Sequence, residues 1–312
     1  MSEAIRDVIM VGAGPSALAA AVYTTREDID TVLYEKGVIG GLAAITDQVD
    51  NYPGFPDGIE GLKLAGQLEK QAERFGAHIE FGDVSAIRDE DGVKVVTVDG
   101  TDVRAHTVLI ATGSDYNKLG IPGEAEYYGR GVHYCATCDG AFYRDKRLVV
   151  VGGGNSAVQE ALFLTRYTTH IDLLVRSTIK ASEVLQRDLE EQVAAGKITV
   201  HLGTIPTEIV TTEGRVTSVA ALKDGEPTEF LTDGIFVFVG LKPNTQFLVD
   251  TGVELDEQGL IKTNQHLETS MPGVFASGDV RSGATMQIAS AVGEGATAAL
   301  SIREYLDEKK RA

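Results

Sequence analysis

Residues 7–14 read DVIMVGAG, and residues 147–154 read RLVVVGGG. In each, an apolar run ends in glycines and leads into a helix-compatible stretch, SALAAAVYTTRE from residue 16 and NSAVQEALFLTRY from residue 155. Another apolar strand follows each time, TVLYE at 31–35 and IDLLVR at 171–176. Strand, glycine turn, helix and strand, written twice, predict an α/β chain with two Rossmann-like, dinucleotide-binding domains.

The first loop is Gly12-x-Gly14-x-x-Ala17. Gly12 suits a tight turn, Gly14 lets backbone approach a pyrophosphate, and Ala17 permits close helix–strand packing. Glu35 lies 18 residues beyond Ala17, at the end of the next strand, where an acid accepts hydrogen bonds from ribose hydroxyls. The second loop, Gly152-x-Gly154-x-x-Ala157, repeats the pattern, but the position matching Glu35 is Val175, followed by Arg176. An arginine there accommodates a 2′-phosphate. Arg176 is equally readable as a solvated strand-end charge.

Three strands end alike in small-residue turns: VLIATGS at 108–114, GIFVFVGLKPNT at 234–245 and GVFASGDV at 273–280. They place boundaries near residues 115 and 244. The expected division is a discontinuous domain over 1–115 and 245–312, with a second domain inserted at 116–244.

Composition narrows the classes. With 43% hydrophobic and 24% charged residues, the chain reads as globular. No apolar run approaches the ~20 residues of a transmembrane helix, and the N-terminus lacks the marks of a secretory signal. The net charge of −18 opposes nucleic acid and anionic lipid as partners. Two cysteines are too few for a disulfide framework, so a cytoplasmic, reducing location is expected.

Both cysteines sit in HYCATCDG, residues 133–140. Zinc would need four ligands; His133 could join Cys135 and Cys138, but nothing nearby supplies a fourth, so no metal is expected. A structural disulfide across so short a loop gains little from chain entropy. A redox pair fits better: CxxC motifs can lower a thiol pKa and exchange through mixed disulfides. Asp139, directly behind, reads either as a general acid/base or as a turn acid beside Gly140.

Taken in order, GAGPSA, NYPGFP, ATGS, CATCDG, GGGNSA and FASGDV closely resemble bacterial-type low-molecular-weight thioredoxin reductase, a family of FAD-dependent pyridine nucleotide-disulfide oxidoreductases. The match covers essentially the whole chain. The resemblance implies a homodimer with FAD in the split domain and NADPH in the inserted one, passing electrons through Cys138, facing the flavin, and Cys135 to thioredoxin. It also implies a rotation of the inserted domain about the crossovers GSDYN and GLKPNT. For FAD it implies Glu35 at the adenosine ribose, Gly40, Gly41 and Leu42 on the flavin side, Asn51 near the ring and Val84 near the adenine. Asp279 falls at the ribityl chain, with Met286, Gln287 and Ile288 at the next helix start.

Relatives that use NADPH resemble one another in HRRxxxR after the second loop. This chain reads LVRSTIK at 174–180: Arg176 and Lys180 fall on cation positions, whereas Leu174 and Val175 replace the His and first Arg. Leu42 and Ala43 stand where Gln-Leu is frequent, and Met286 where Arg precedes Gln287. This pattern resembles an NADPH-independent subgroup that draws on ferredoxin or another reduced flavin. A small-molecule dithiol oxidase is the remaining alternative.

Overall fold

The computed structural model describes residues 5–46 and 49–311, which divide into two compact units, Met1–Asp115 with Lys242–Ala312, and Tyr116–Leu241. In chain order the first unit opens with β1 (Arg6–Val11), α1 (Pro15–Arg26), β2 (Thr31–Glu35), α2 (Gly41–Ala44), α3 (Gly61–Arg74), β3 (His78–Phe81), β4 (Val84–Glu90), β5 (Val93–Val98) and β6 (Thr101–Ile110). The chain leaves through β7 (Ser114–Tyr116). The second unit holds β8 (Val132–His133), α4 (Ala136–Asp139), β9 (Arg147–Val151), α5 (Asn155–Leu164), β10 (His170–Leu174), α6 (Glu183–Ala194), β11 (Ile198–His201), β12 (Thr204–Thr212), β13 (Arg215–Lys223), β14 (Glu226–Leu231) and β15 (Gly234–Val237). The chain returns through β16 (Leu241–Pro243) and finishes the first unit with β17 (Val274–Ala276) and α7 (Ile288–Arg311).

The first unit is built on one sheet of order β3-β2-β1-β6-β5-β4, with β17 also on β6. β6 pairs with β1 on one edge and shares its other edge between two partners. Residues 101–105 pair antiparallel with β5, and residues 108–110 pair parallel with β17. Val8, Ile9 and Met10 of β1 are fully buried, because helices and loops cover both faces of the parallel part. Burial of such a side chain contributes about 1.5–3 kcal/mol. One face packs on α1 and α7 through small residues, Ala17, Ala20, Ala21 and Ala298 among them. The helices meet so closely that a Cβ on Gly295 would lie 2.1 Å from the Ser16 carbonyl oxygen.

The second unit repeats the parallel design with order β11-β10-β9-β15-β8 and adds an antiparallel sheet, β12-β13-β14. Its two cores lie on opposite faces of the parallel sheet. Leu148, Val150 and Phe236 face α5 and α6; Val149, Val151 and Ile235 face the antiparallel sheet. The strands expected at 31–35 and 171–176 are β2 and β10, and β10 ends two residues earlier, at Leu174. Among the described residues, no helix is long and apolar enough to cross a membrane.

Candidate functional site

The first loop runs from the end of β1 into α1, with Gly14 as the N-cap and Pro15 pre-set for the first turn. Gly12 holds φ +97°, and a Cβ there would lie 2.6 Å from the Ala111 carbonyl oxygen. A Cβ on Gly14, in contrast, would meet nothing within 4 Å. The backbone is therefore bare toward open space, as the approach of a pyrophosphate requires. Ala17 is fully buried against the sheet.

Glu35, at the end of β2, reaches back to this loop. Its carboxylate accepts the Ala13 N–H at 2.8 Å and the Gly37 N–H at 2.7 Å. Two charge-assisted bonds fix the side chain and leave it further lone pairs for a ligand hydroxyl. Gly12, Tyr34, Glu35, Val84, Asn244 and Phe247 line one hollow, which joins three of the residues expected at a nucleotide.

The double glycine lies against the same loop. The Gly40 N–H donates to the Ala13 carbonyl at 2.8 Å, and Gly41 faces the Cα of Gly14. Leu42 follows in α2, its carbonyl accepting the Thr46 hydroxyl. The Asn51 amide donates to Gln287 Oε1 at 3.0 Å. Met286 turns the chain at φ +55° before Ile288 begins α7. Asp279 is anchored through its backbone, whose carbonyl accepts the Ser114 hydroxyl at 2.5 Å. Burial, and then Glu294, push the Asp279 carboxyl up to about 6. These residues fit an extended FAD: a bare glycine turn, an acid at a strand end and a double glycine beside it.

The second loop has the same frame but a different closure. Gly152 holds φ +139°, with the Phe238 carbonyl oxygen 2.3 Å from where a Cβ would be. Gly154 caps α5 and faces open space, and Ala157 is fully buried. The matching strand end carries no carboxylate. Leu174 and Val175 are buried in the unit's cores, and a Cβ on Gly153 would lie 2.7 Å from Val175. The loop is tied by backbone instead, the Lys180 N–H donating to the Gly153 carbonyl at 2.6 Å. Arg176 and Lys180 are both exposed, and among the described residues no carboxylate pairs with either.

Cys135 and Cys138 form a disulfide in this second unit. Cys135 caps the single turn of α4, its sulfur accepting the Cys138 N–H at 3.2 Å. Gly140 seats the turn on α5, where a Cβ would press within 2.8 Å of Leu164. Among the described residues no group of three or more His, Cys, Asp or Glu side chains could hold a metal.

One partner of Asp139 went unseen in the sequence. His133, weighed there only as a metal ligand, is buried and lies with Nδ1 3.1 Å from Asp139 Oδ2. Its Nε2 lies 2.7 Å from the Tyr143 hydroxyl, whose pKa is raised by burial, then by Asp139 and Asp233. His133 lies on β8, Asp139 at the end of α4 and Tyr143 just beyond it, so no single element carries all three and only the turn that joins them brings them together.

A family model described as pyridine nucleotide-disulphide oxidoreductase matches residues 6–295. The chain is 40% identical over 310 residues to thioredoxin reductase of Bacillus subtilis (strain 168), covering 98% of this chain and 96% of that protein. It is 41% identical over 314 residues to thioredoxin reductase of Listeria innocua (serovar 6a), covering 99% and 97%. Its fold is similar to the crystal structure of thioredoxin reductase from Streptococcus pyogenes, with a TM-score of 0.92, 37% identity, and 98% and 100% of the two chains covered.

Proposed function

Since this chain belongs to the pyridine nucleotide-disulphide oxidoreductases, among the bacterial-type low-molecular-weight thioredoxin reductases, we propose that it takes electrons from NADPH and passes them through FAD and Cys135–Cys138 to thioredoxin. It is a flavoprotein disulfide reductase, and its family uses FAD and usually NADPH. The observation that carries the reading is the Cys135–Cys138 disulfide, in the unit that also holds the second glycine loop.

Bound FAD supplies the two-electron chemistry that links a pyridine nucleotide to a disulfide. The chain's part is to hold and orient it. In this reading Glu35 accepts from the adenosine ribose, Gly12 and Gly14 admit the pyrophosphate, and Val84 borders the adenine. Gly40, Gly41, Leu42 and Asn51 border the flavin end, and Asp279, Met286, Gln287 and Ile288 the ribityl side. Gly152, Gly154 and Ala157 form the NADPH loop. Arg176 and Lys180, exposed and without carboxylate partners among the described residues, meet its 2′-phosphate. Asp139 moves the proton that accompanies thiol exchange. The protein acts as a homodimer in a reducing compartment.

A second reading keeps the disulfide chemistry and draws electrons from reduced ferredoxin or another flavin. It is favoured by Leu174 and Val175, at 0% and 2% exposed, which leave two fewer cations for a phosphate. Anaerobic titration of the purified flavoprotein decides between them. Bleaching of the flavin band by micromolar NADPH is expected; bleaching only by reduced ferredoxin selects the second reading. Cys138→Ser is expected to keep FAD and abolish thioredoxin reduction. Thioredoxin reduction that survives in this variant refutes the electron path.

A further inference from the structure

We propose that His133 is a positioning residue for Asp139, and that the two side chains together hold one exchangeable proton beside the Cys135–Cys138 pair. This rests on the functional reading above for the role of Asp139 and goes beyond it in assigning a partner.

The placement of His133 is built by several elements of the second unit. It sits on β8, paired in register with Phe236 of β15, and the two rings stack at 5.1 Å. Tyr143 crosses both rings edge-on at 5.3 and 5.6 Å. Tyr143 fits because residue 234 is glycine; a Cβ there would lie 2.4 Å from the Tyr143 ring. In the neutral ring with its proton on Nε2, that N–H donates to the oxygen of the Tyr143 phenol, which burial keeps protonated. That leaves Nδ1 to face Asp139.

Nδ1 is the informative atom. At 3.1 Å from Asp139 Oδ2 it is close enough for an ion pair, yet it is not aligned for a hydrogen bond. A buried polar atom left in this state is costly. The cost is relieved when the imidazole takes up a proton and becomes the cation of a His133–Asp139 pair. An imidazole commonly exchanges protons between about pH 5 and 8, which an exposed carboxyl does not. The other charged or titratable groups facing this cluster are Tyr143 itself, Tyr128 and Asp233, with Lys146 over the Tyr143 ring at 5.6 Å.

The exchange has a defined proton path. When a reduced dithiol attacks the Cys135–Cys138 bond, a mixed disulfide forms and one enzyme cysteine leaves as a thiolate. That thiolate takes the proton held by Asp139 and His133. The attacking molecule's second thiol then closes its own disulfide, releasing the other enzyme cysteine, and its proton refills the pair. Two electrons and one proton pass to the enzyme, which leaves one cysteine a thiol and the other a thiolate, and the proton of the first attacking thiol goes to solvent. Run backward, with electrons supplied to the cysteines by the reduced flavin, the same path delivers a proton to a sulfur of a disulfide substrate.

The test uses the FAD-loaded protein and dithiothreitol in place of both the donor and thioredoxin. The rate of Cys135–Cys138 reduction is followed by alkylation of the released thiols between pH 6 and 9. His133→Ser is expected to be about tenfold slower near pH 6.5, a smaller loss than removal of a direct general acid. The deficit should shrink toward pH 9, where neither protein retains the proton. His133→Asn keeps an N–H toward Asp139 but holds no proton, and it should show the same pH-dependent deficit. Tyr143→Phe, which leaves His133 in place, should show it more weakly and covers the case that a His133 variant fails to fold. A variant-to-wild-type ratio that is flat across pH in the folded variants, or full restoration by asparagine, overturns the proposal. A wild-type protein that exchanges with dithiothreitol in this way but reduces no thioredoxin refutes the proposed function alone.

Discussion

The loop at Gly12–Ala17 and the loop at Gly152–Ala157 share a strand, a positive-φ glycine and a helix N-terminus, yet opposite chemistry closes them. The first is latched by the Glu35 carboxylate, which takes one backbone N–H from the loop, at Ala13, and one from its own strand end, at Gly37. The second is latched by backbone, through Lys180 and Gly153, with Val175 packed where a latch would stand. The turn is thus a generic phosphate cradle, and the residue at the next strand end decides which nucleotide it keeps. The first loop is pre-organised for a resident group. The second has exposed cations, Arg176 and Lys180, in place of an acid, and in the proposed reading these meet a ligand that comes and goes.

The strongest way to break this comparison is to fill the turns. Gly12→Ala and Gly152→Ala each force a Cβ into backbone at positive φ and should cost about 3 kcal/mol of stability. Their consequences should differ: Gly12→Ala should purify without flavin, whereas Gly152→Ala should keep its yellow colour and lose reduction by NADPH. Absorbance spectra and thermal unfolding read both. Glu35→Gln comes next. It weakens charge-assisted bonds to loop and ligand, and FAD dissociation by fluorescence should show affinity about 30-fold lower. Arg176→Ala should raise the KM for NADPH about tenfold and leave that for NADH unchanged. Equal effects on both would remove the 2′-phosphate from the account.

Asp279 gives the smallest effect. Its carboxyl, raised by burial, binds a proton in the folded protein that the unfolded chain releases. The stabilising share is complete near pH 4 and is lost as the pH rises through about 6. Asp279→Asn should therefore flatten the stability of flavin-free protein over that interval and add about 1 kcal/mol at pH 7, by urea unfolding.

The parts legible in the sequence are those set by local pattern. Apolar runs such as DVIMVGAG are buried on both faces, so they lack alternation and read as parallel strands. Cys135, Cys138 and Asp139 are neighbours in the chain. The unseen parts depend on distant pairing. Nothing in LVRSTIK shows that Val175 packs against the second glycine loop, where a Cβ on Gly153 would lie 2.7 Å from it. Lys94 reads as a surface cation but is 1% exposed and paired with Asp89 across the turn of its hairpin. His133 belongs with these, because its meaning lies in Phe236 and Tyr143.

β6 shares its length between β5, close behind it in sequence, and β17, which arrives only after the whole second unit has been made. On the ribosome the inserted unit therefore emerges with all its strands in hand, while the outer one waits for Val274–Ala276 and for α7 to cover α1. During that interval the apolar face of α1 and the open half of β6 are exposed to the cell, and this nascent half-sheet is where chaperones have most to protect.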